Sequence, residues 1–301
     1  MSVGLAQLNL LQLNASGGAT ELDPEDASQK EAALLEALSK LPALLVAFSG
    51  GADSAYLAWA ANCALGERAV AITALSPSYS EYDREVARNF VARHGIHHEW
   101  IETREVENPL YIANNPDRCY HCKDELFVRM NELVRQRTIA GNWAAIAYGI
   151  NLDDTHDFRP GHRAAKEHDI LAPLLDAKLN KVEIRWLSKR AGLDTWDRPA
   201  SACLSSRVPY GTAVTAELLR RIEKAESGLR EMGFRQLRVR AQGSNGVDAR
   251  VEIAREELDR ALEPAMARDI ASRVSGCGFG EVSIDPRGYR QGSLNEALRN
   301  A

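Results

Sequence analysis

Two groups of residues in this sequence have the types and spacing to do chemistry. The first is Ser49-Gly50-Gly51-Ala52-Asp53-Ser54, which follows the apolar run ALLVAF and leads into AYLAWAA. A strand that passes through Gly50 and Gly51 into a helix presents free backbone N–H groups at the positive end of the helix dipole, an arrangement suited to phosphate. A Gly-Gly pair by itself also serves ordinary strand-to-helix turns that need glycine only for its backbone angles. Here two hydroxyls and a carboxylate share the turn. The second group is Cys119-Tyr120-His121-Cys122, with Cys203 far downstream in ASACLSSR. Two thiolates from one turn and a third from elsewhere suit an iron–sulfur cluster with three protein ligands and one open iron. Half a zinc site, or a chance spacing, is the other reading of a CxxC. His121, between the cysteines, is expected to lie beside them or face solvent rather than ligate.

The six-residue string lacks the Lys of a Walker A loop and the third Gly of a dinucleotide fingerprint. It matches SGGxDS and so resembles the pyrophosphate loop of the PP-loop ATP pyrophosphatases, which cleave ATP between its α and β phosphates, adenylate a substrate oxygen and release pyrophosphate. That resemblance makes Ser49, Gly50, Gly51, Asp53 and Ser54 the expected ATP-binding residues. The two hydroxyls and the backbone N–H groups would hold the leaving pyrophosphate, and Asp53 would help place Mg²⁺. Adenylation converts a poor leaving group into AMP, which a nucleophile then displaces; in this superfamily that nucleophile is ammonia, an amine or sulfur.

The strings NPDRCYHCK, YGINLDDTHDFRPG, WDRPASACLSSRVPYG and LRVRAQ followed by ARVEIA narrow the resemblance. From about residue 28 to about residue 290 they resemble LarE, the family of ATP-dependent sulfur transferases of nickel-pincer nucleotide synthesis. Such enzymes adenylate the carboxylates of pyridinium-3,5-biscarboxylic acid mononucleotide and convert them to thiocarboxylates. Members with a single cysteine, at the position of Cys203, give up its sulfur and keep dehydroalanine; members that also carry the CxxC hold a 4Fe-4S cluster through three cysteines. This sequence has all three, so the resemblance implies Cys119, Cys122 and Cys203 as metal ligands, with Cys203 and Asp53 as the catalytic pair. Arg207 and the alternating pair Arg238 and Arg240 are expected to bind the substrate phosphate, since guanidinium forks match phosphate oxygens; two solvated strand arginines are the alternative for that pair. Asp153 and Asp154 suit adenylate or Mg²⁺ contact, or a helix N-cap, and Glu226 and Glu252 match acidic positions of the family only loosely. A PP-loop tRNA thiolase with a cluster, or an ammonia-using PP-loop amide synthetase, are the rival readings.

The elements that must position these residues follow from hydrophobic periodicity. Helical spacing over 27–41, an apolar strand at 43–48, strands at 69–75, 97–102 and 143–149, and helices at 80–95 and 124–138 alternate as a parallel sheet covered on both faces requires. Such sheets bind ligands beyond the carboxyl ends of their strands. After about residue 195 a Pro- and Ser-containing loop, a helix and alternating strands read as a smaller α+β unit. The expected organisation is a loosely ordered leader (1–27), a PP-loop domain (28–195), a connecting loop carrying Cys203 (196–213) and a C-terminal substrate or oligomerisation domain (214–301). The chain has 301 residues, 45% of them hydrophobic, and 37 basic against 42 acidic side chains leave a net charge of −5. That balance does not advertise nucleic acid as partner. No apolar run approaches the ~18 residues of a membrane span, and the N-terminus lacks the features of an export signal, so a cytoplasmic homo-oligomer is expected, working on a small nucleotide beside other enzymes of the same synthesis. Five cysteines are an odd number in such a chain and argue against a disulfide framework; Cys63 is expected to be a small buried hydrophobe and Cys277 incidental.

Overall fold

The computed structural model describes residues 22–139, 144–156, 160–199 and 202–290. In chain order the elements are α1 (Pro24–Ser39), β1 (Leu44–Ala47), α2 (Ala52–Leu65), β2 (Ala69–Leu75), α3 (Glu81–Arg93), β3 (His98–Glu102), α4 (Pro109–Ile112), α5 (Arg118–Ile139), β4 (Ala145–Tyr148), α6 (Pro160–Glu167), α7 (Pro173–Asp176), α8 (Lys181–Arg190), α9 (Ala216–Glu231), β5 (Leu237–Gln242), β6 (Asp248–Ile253), α10 (Arg255–Leu262), α11 (Pro264–Ser275) and β7 (Val282–Ile284). Of the expected leader, residues 1–21 lie outside the described residues. Its last residues belong to α1, because the Asp23 carboxylate accepts hydrogen bonds from the Glu25 and Asp26 amides and Pro24 takes the first helical position. Periodicity assigns no element between 160 and 195, where the short apolar stretches of α6, α7 and α8 form; α8 is fixed at its start by a reciprocal Asn180–Glu183 capping box.

The first four strands form one parallel sheet in the order β3-β2-β1-β4. Residues of β1 alternate between two cores. Leu44 and Val46 pack with Leu34 of α1, Leu57 of α2 and Leu187 of α8. Leu45 and Ala47 pack with Phe127 and Met130 of α5 and Ala164 of α6. A strand buried on both faces must be apolar throughout, which is why β1 reads as a continuous run rather than an alternation. The chain leaves β1 for β2 and β3 on one side and returns to β4 on the other. That reversal opens a crevice at the carboxyl ends of β1 and β4, and the Gly-Gly turn sits there.

The second unit has its own three-stranded sheet, with β5 antiparallel to β6 and β6 parallel to β7. Leu219, Ile222 and Leu229 of α9 bury against Val239 and Val251, and Ile270 and Val274 of α11 close the same core. Tyr111 of α4, Leu204 and Val208 join that core from outside the unit. The expected α/β architecture with a smaller α+β unit is therefore the one the chain adopts. Among the described residues no helix is long and apolar enough to cross a membrane.

Candidate active site

Between β1 and α2 the chain turns through Gly50, whose φ of +73° is a left-handed conformation that glycine adopts without strain. Gly51 is the N-cap of α2, and no side chain caps that first turn, so its N–H groups are oriented for an external anion. The Ser49 and Ser54 hydroxyls lie 3.1 Å apart. Buried Ser54 stitches the loop: its Oγ accepts from the Ser49 amide at 3.2 Å and donates to the Gly51 carbonyl at 3.1 Å. Ser49 stands exposed at the mouth, and Asp53 occupies the first turn of α2. Gly149, directly after β4, closes against this turn; a Cβ there would come within 2.8 Å of the Ser54 amide nitrogen. Asp153 and Asp154 are directed to α8 instead. Asp153 Oδ2 accepts from the Lys181 amide at 2.7 Å, and Asp154 Oδ1 pairs with Lys181 Nζ at 2.9 Å. For Asp153 this is the helix-terminus alternative.

The CxxC lies inside α5 rather than ahead of it. Helix α5 starts at Arg118, directly after the Asn115-Pro116-Asp117 turn, so Cys119 and Cys122 are neighbours three apart on one helical face. Cys203 precedes a single 3-10 turn, Leu204–Arg207. A buried polar clasp draws the two segments together. Arg118 Nη1 donates to Asn114 Oδ1 at 2.5 Å and to the Ser205 carbonyl at 2.7 Å. Asn114, buried at φ +55°, donates to the Pro209 and Thr212 carbonyls at 2.7 and 2.9 Å. The Tyr111 hydroxyl meets Ser205 Oγ at 2.6 Å, and the Leu204 amide donates to the Ser78 carbonyl at 2.9 Å.

The three thiols consequently share one electrostatic neighbourhood. Cys119 is exposed on the surface of α5, yet the protein around its thiol first and Cys203 second push it up, opposed by the adjacent Arg118 and Lys123 cations. Burial, Glu105 and Cys203 raise Cys122 much further. Glu105 is itself buried, with Oε1 accepting from Ser78 Oγ at 3.1 Å. Among the described residues no three His, Cys, Asp or Glu side chains converge as a single metal ion requires. His121 does not face solvent: its side chain is 12% exposed, with Nε2 3.6 Å from the Asp117 carboxylate. Cys63 is exposed on the outer side of α2, not buried as expected.

Strand β5 points Leu237, Val239 and Ala241 into the core under α9 and places Arg238 and Arg240 on its other face. These arginines are only 8% and 7% exposed, so they are not a solvated pair. Arg207 forms a fork with Glu226, Nε to Oε1 at 2.8 Å and Nη2 to Oε2 at 3.1 Å, and also donates to the Cys203 carbonyl at 2.9 Å. Arg240 Nη1 donates to the Ser206 carbonyl at 2.9 Å, and its Nε pairs with Glu252 at 2.8 Å. Burial would raise the Glu226 carboxyl, but Arg207, Arg238 and Arg230 overcome it and hold the group at about 2. Burial and the neighbouring charge of Arg207 push Arg238 down. The expected arginines are thus gathered in one cluster, and that cluster also anchors the Cys203 loop.

Spacing alone misses several residues at the site. Arg198 donates to the Gly50 carbonyl at 2.5 Å and to Asp83 Oδ1 at 2.5 Å, and Tyr79 reaches the Ser49 carbonyl at 3.1 Å. The one signal for Arg198 is its place in the WDRPASAC string, and for Arg118 its place in NPDRCYHCK; Tyr79, Asp83 and Asn114 carry none that a single sequence reveals.

A parallel sheet covered by helices, whose strand β1 leads into SGGADS at the reversal of strand order, makes this a protein of the α/β class with a sheet consistent with a PP-loop fold. No family model matches the chain. It is 38% identical over 265 residues to the uncharacterized protein slr1717 of Synechocystis, covering 88% of this chain and 96% of that one. It is 30% identical over 276 residues to the pyridinium-3,5-bisthiocarboxylic acid mononucleotide synthase of Lactiplantibacillus plantarum, covering 90% of this chain and 96% of that enzyme. An uncharacterized Methanocaldococcus jannaschii protein, MJ0830, is 27% identical over 249 residues, 82% of this chain and 90% of that one. The chain belongs to the LarE family.

Proposed function

We propose that this protein is an ATP-dependent sulfur transferase that adenylates the carboxylates of pyridinium-3,5-biscarboxylic acid mononucleotide and converts them to thiocarboxylates. The observation that carries the reading is the presence, in a chain related along 90% of its length to a synthase of that product, of both an uncapped SGGADS turn and three thiols that share one neighbourhood. A substrate carboxylate oxygen attacks the α-phosphorus of ATP and pyrophosphate leaves, held by the loop N–H groups and the Ser49 and Ser54 hydroxyls, with Asp53 placing Mg²⁺. Sulfide then attacks the acyl carbon and AMP departs. The buried cluster of Arg207, Arg238 and Arg240 suits the substrate phosphate, because burial first and the neighbouring Arg207 charge second push Arg238 down, and a phosphate dianion offsets both.

The donor set of Cys119, Cys122 and Cys203 fits an iron–sulfur cluster. Soft thiolates are its preferred ligands, Arg118 and Lys123 favour an anionic centre, and a cubane holds its ligand sulfurs farther apart than a single ion does. Such a cluster would supply an open iron able to carry the sulfide. The chain's own contribution is to release three thiol protons as the metal binds and to fix Cys203 through the Arg118 clasp and Arg207.

Anaerobic protein loaded with iron and fed sulfide is expected to turn over repeatedly, and alanine at any one of the three cysteines to abolish repeated turnover. Mass spectrometry after reaction should find Cys203 intact. A loss of about 34 Da at Cys203, the mass of H₂S leaving a thiol, with activity indifferent to Cys119 and Cys122, overturns the cluster reading in favour of a sacrificed sulfur.

A further inference from the structure

Two side chains outside the SGGADS string determine which way its peptide groups face. The Tyr79 hydroxyl is shared between the Ser49 and Asp83 carbonyls, at 3.1 Å each. Arg198 divides its fork: Nη1 donates to the Gly50 carbonyl at 2.5 Å, and Nη2 pairs with Asp83 Oδ1 at 2.5 Å. Asp83 is fixed in turn, for its Oδ2 accepts from Ser80 Oγ at 2.5 Å and Ser80 caps α3. Both members of the Arg198–Asp83 pair are only 11% exposed, so solvent screens it little. Burial and the Asp83 charge raise the Tyr79 phenol, which keeps its hydroxyl proton in place.

A trans peptide group is planar, with its C=O and N–H pointing in opposite directions. A donor that holds the Ser49 carbonyl therefore aims the Gly50 N–H to the other side, and a donor that holds the Gly50 carbonyl aims the Gly51 N–H likewise. Without these donors either peptide is free to flip, since Gly50 tolerates a wide range of backbone angles, and a carbonyl oxygen would then face the anion. A Cβ on Gly50 would lie 3.2 Å from Arg198 Nη1 and 3.5 Å from the Tyr79 hydroxyl oxygen, so the two donors cover the same side of the loop.

We propose that Tyr79 and Arg198 are positioning residues that preset the Gly50 and Gly51 N–H groups toward the leaving pyrophosphate, Tyr79 governing the first and Arg198 the second. The inference rests on the reading of the loop as a pyrophosphate cradle. Arg198 belongs to the segment that runs on to Cys203, so the same side chain also ties the cysteine loop to the ATP-cleaving turn.

The test uses full-length protein with ¹⁵N-labelled glycine and Mg²⁺-pyrophosphate as the probe, comparing wild type with Tyr79→Phe, Arg198→Lys and Arg198→Gln. In wild type, the Gly50 and Gly51 amide resonances are expected to move downfield together on titration. Tyr79→Phe should blunt the Gly50 shift selectively, and either Arg198 variant the Gly51 shift. Each should weaken pyrophosphate binding about tenfold, the scale of one hydrogen bond to a charged group. A purely structural role would lower thermal stability without this residue-by-residue pattern. Undiminished shifts of both amides in Tyr79→Phe and in a folded Arg198 variant overturn the proposal while leaving the cradle intact. Failure of wild type to bind pyrophosphate overturns the cradle reading itself. If both Arg198 variants fail to fold, Tyr79→Phe alone decides the outcome at Gly50.

Discussion

The SGGADS turn and the thiol site lie in the same molecule and are built by opposite means. The loop is six consecutive residues whose polar groups are mostly backbone, set by one left-handed glycine and the start of α2. The pocket joins α5 to a 3-10 turn far along the chain, and side chains do the joining: Arg118, Asn114 and Tyr111 reach from one side to Ser205, Pro209 and Thr212 on the other. A backbone site needs only local conformation plus a sheet to hold its ends. A side-chain site needs every buried donor matched to an acceptor, because each unmatched one costs about 1–3 kcal/mol. The loop should therefore yield to changes in its own residues, and the pocket to changes in residues that never touch a reactant.

The largest expected effect separates the two outright. Asp53→Ala should lower substrate-dependent pyrophosphate release by about two orders of magnitude or more, the scale of losing one preorganised charge-stabilising group. The same variant should bind iron anaerobically as wild type does. A parallel loss of iron binding, measured by metal analysis after reconstitution, would break the contrast by showing that the two sites form only together.

Next in size is the clasp. Arg118→Met leaves Asn114 Oδ1 and the Ser205 carbonyl without their charged donor, and each buried acceptor left unmatched costs about 1–3 kcal/mol. Urea unfolding should register that loss, and iron incorporation should fall, while affinity for pyrophosphate stays within about twofold of wild type. A variant as stable as wild type with unchanged iron uptake would mean that the thiols are placed by something other than this network.

The smallest effect is on pH. Burial pushes His98 down to about 4 where it packs against Phe48 at the end of β1, so the unfolded chain binds a proton that the folded sheet refuses. Stability should fall as pH drops from the ordinary histidine value of 6.5 towards 4, and His98→Gln should remove that slope. Glu226, in the arginine cluster behind Cys203, is held at about 2. Its contribution is complete above its unfolded value of 4.5 and is lost as pH falls through about 2. Unfolding followed by a probe in each unit should thus show the sheet weakening in the higher window and the arginine cluster in the lower one.

Much of the molecule was legible before any coordinates. The strand at 69–75 coincides with β2, the helix at 80–95 encloses α3, and the turn at 49–54 lies where the strand order reverses. These features rest on local periodicity and on glycine's conformational freedom, and both act within a few residues. Periodicity starts α5 too late because the Asn-Pro-Asp turn reads as loop, although proline near a helix start permits helix directly after it. Cys63 was placed inside because α2 is apolar on nearly all sides, and the sequence does not say which edge a central helix leaves to water.

By itself the sequence determined the alternation of strands and helices, the Gly-Gly turn between β1 and α2 and the spacing of Cys119 and Cys122, because each depends on neighbours along the chain. Only the tertiary structure decided that Arg238 and Arg240 are buried beside Glu226 and Glu252 rather than solvated, that Cys203 approaches α5, and that Arg198 and Tyr79 hold the loop carbonyls. The physical reason is the same in each case: a buried charge or donor is tolerated only where a partner from elsewhere in the chain meets it, and that pairing is fixed by packing, not by spacing.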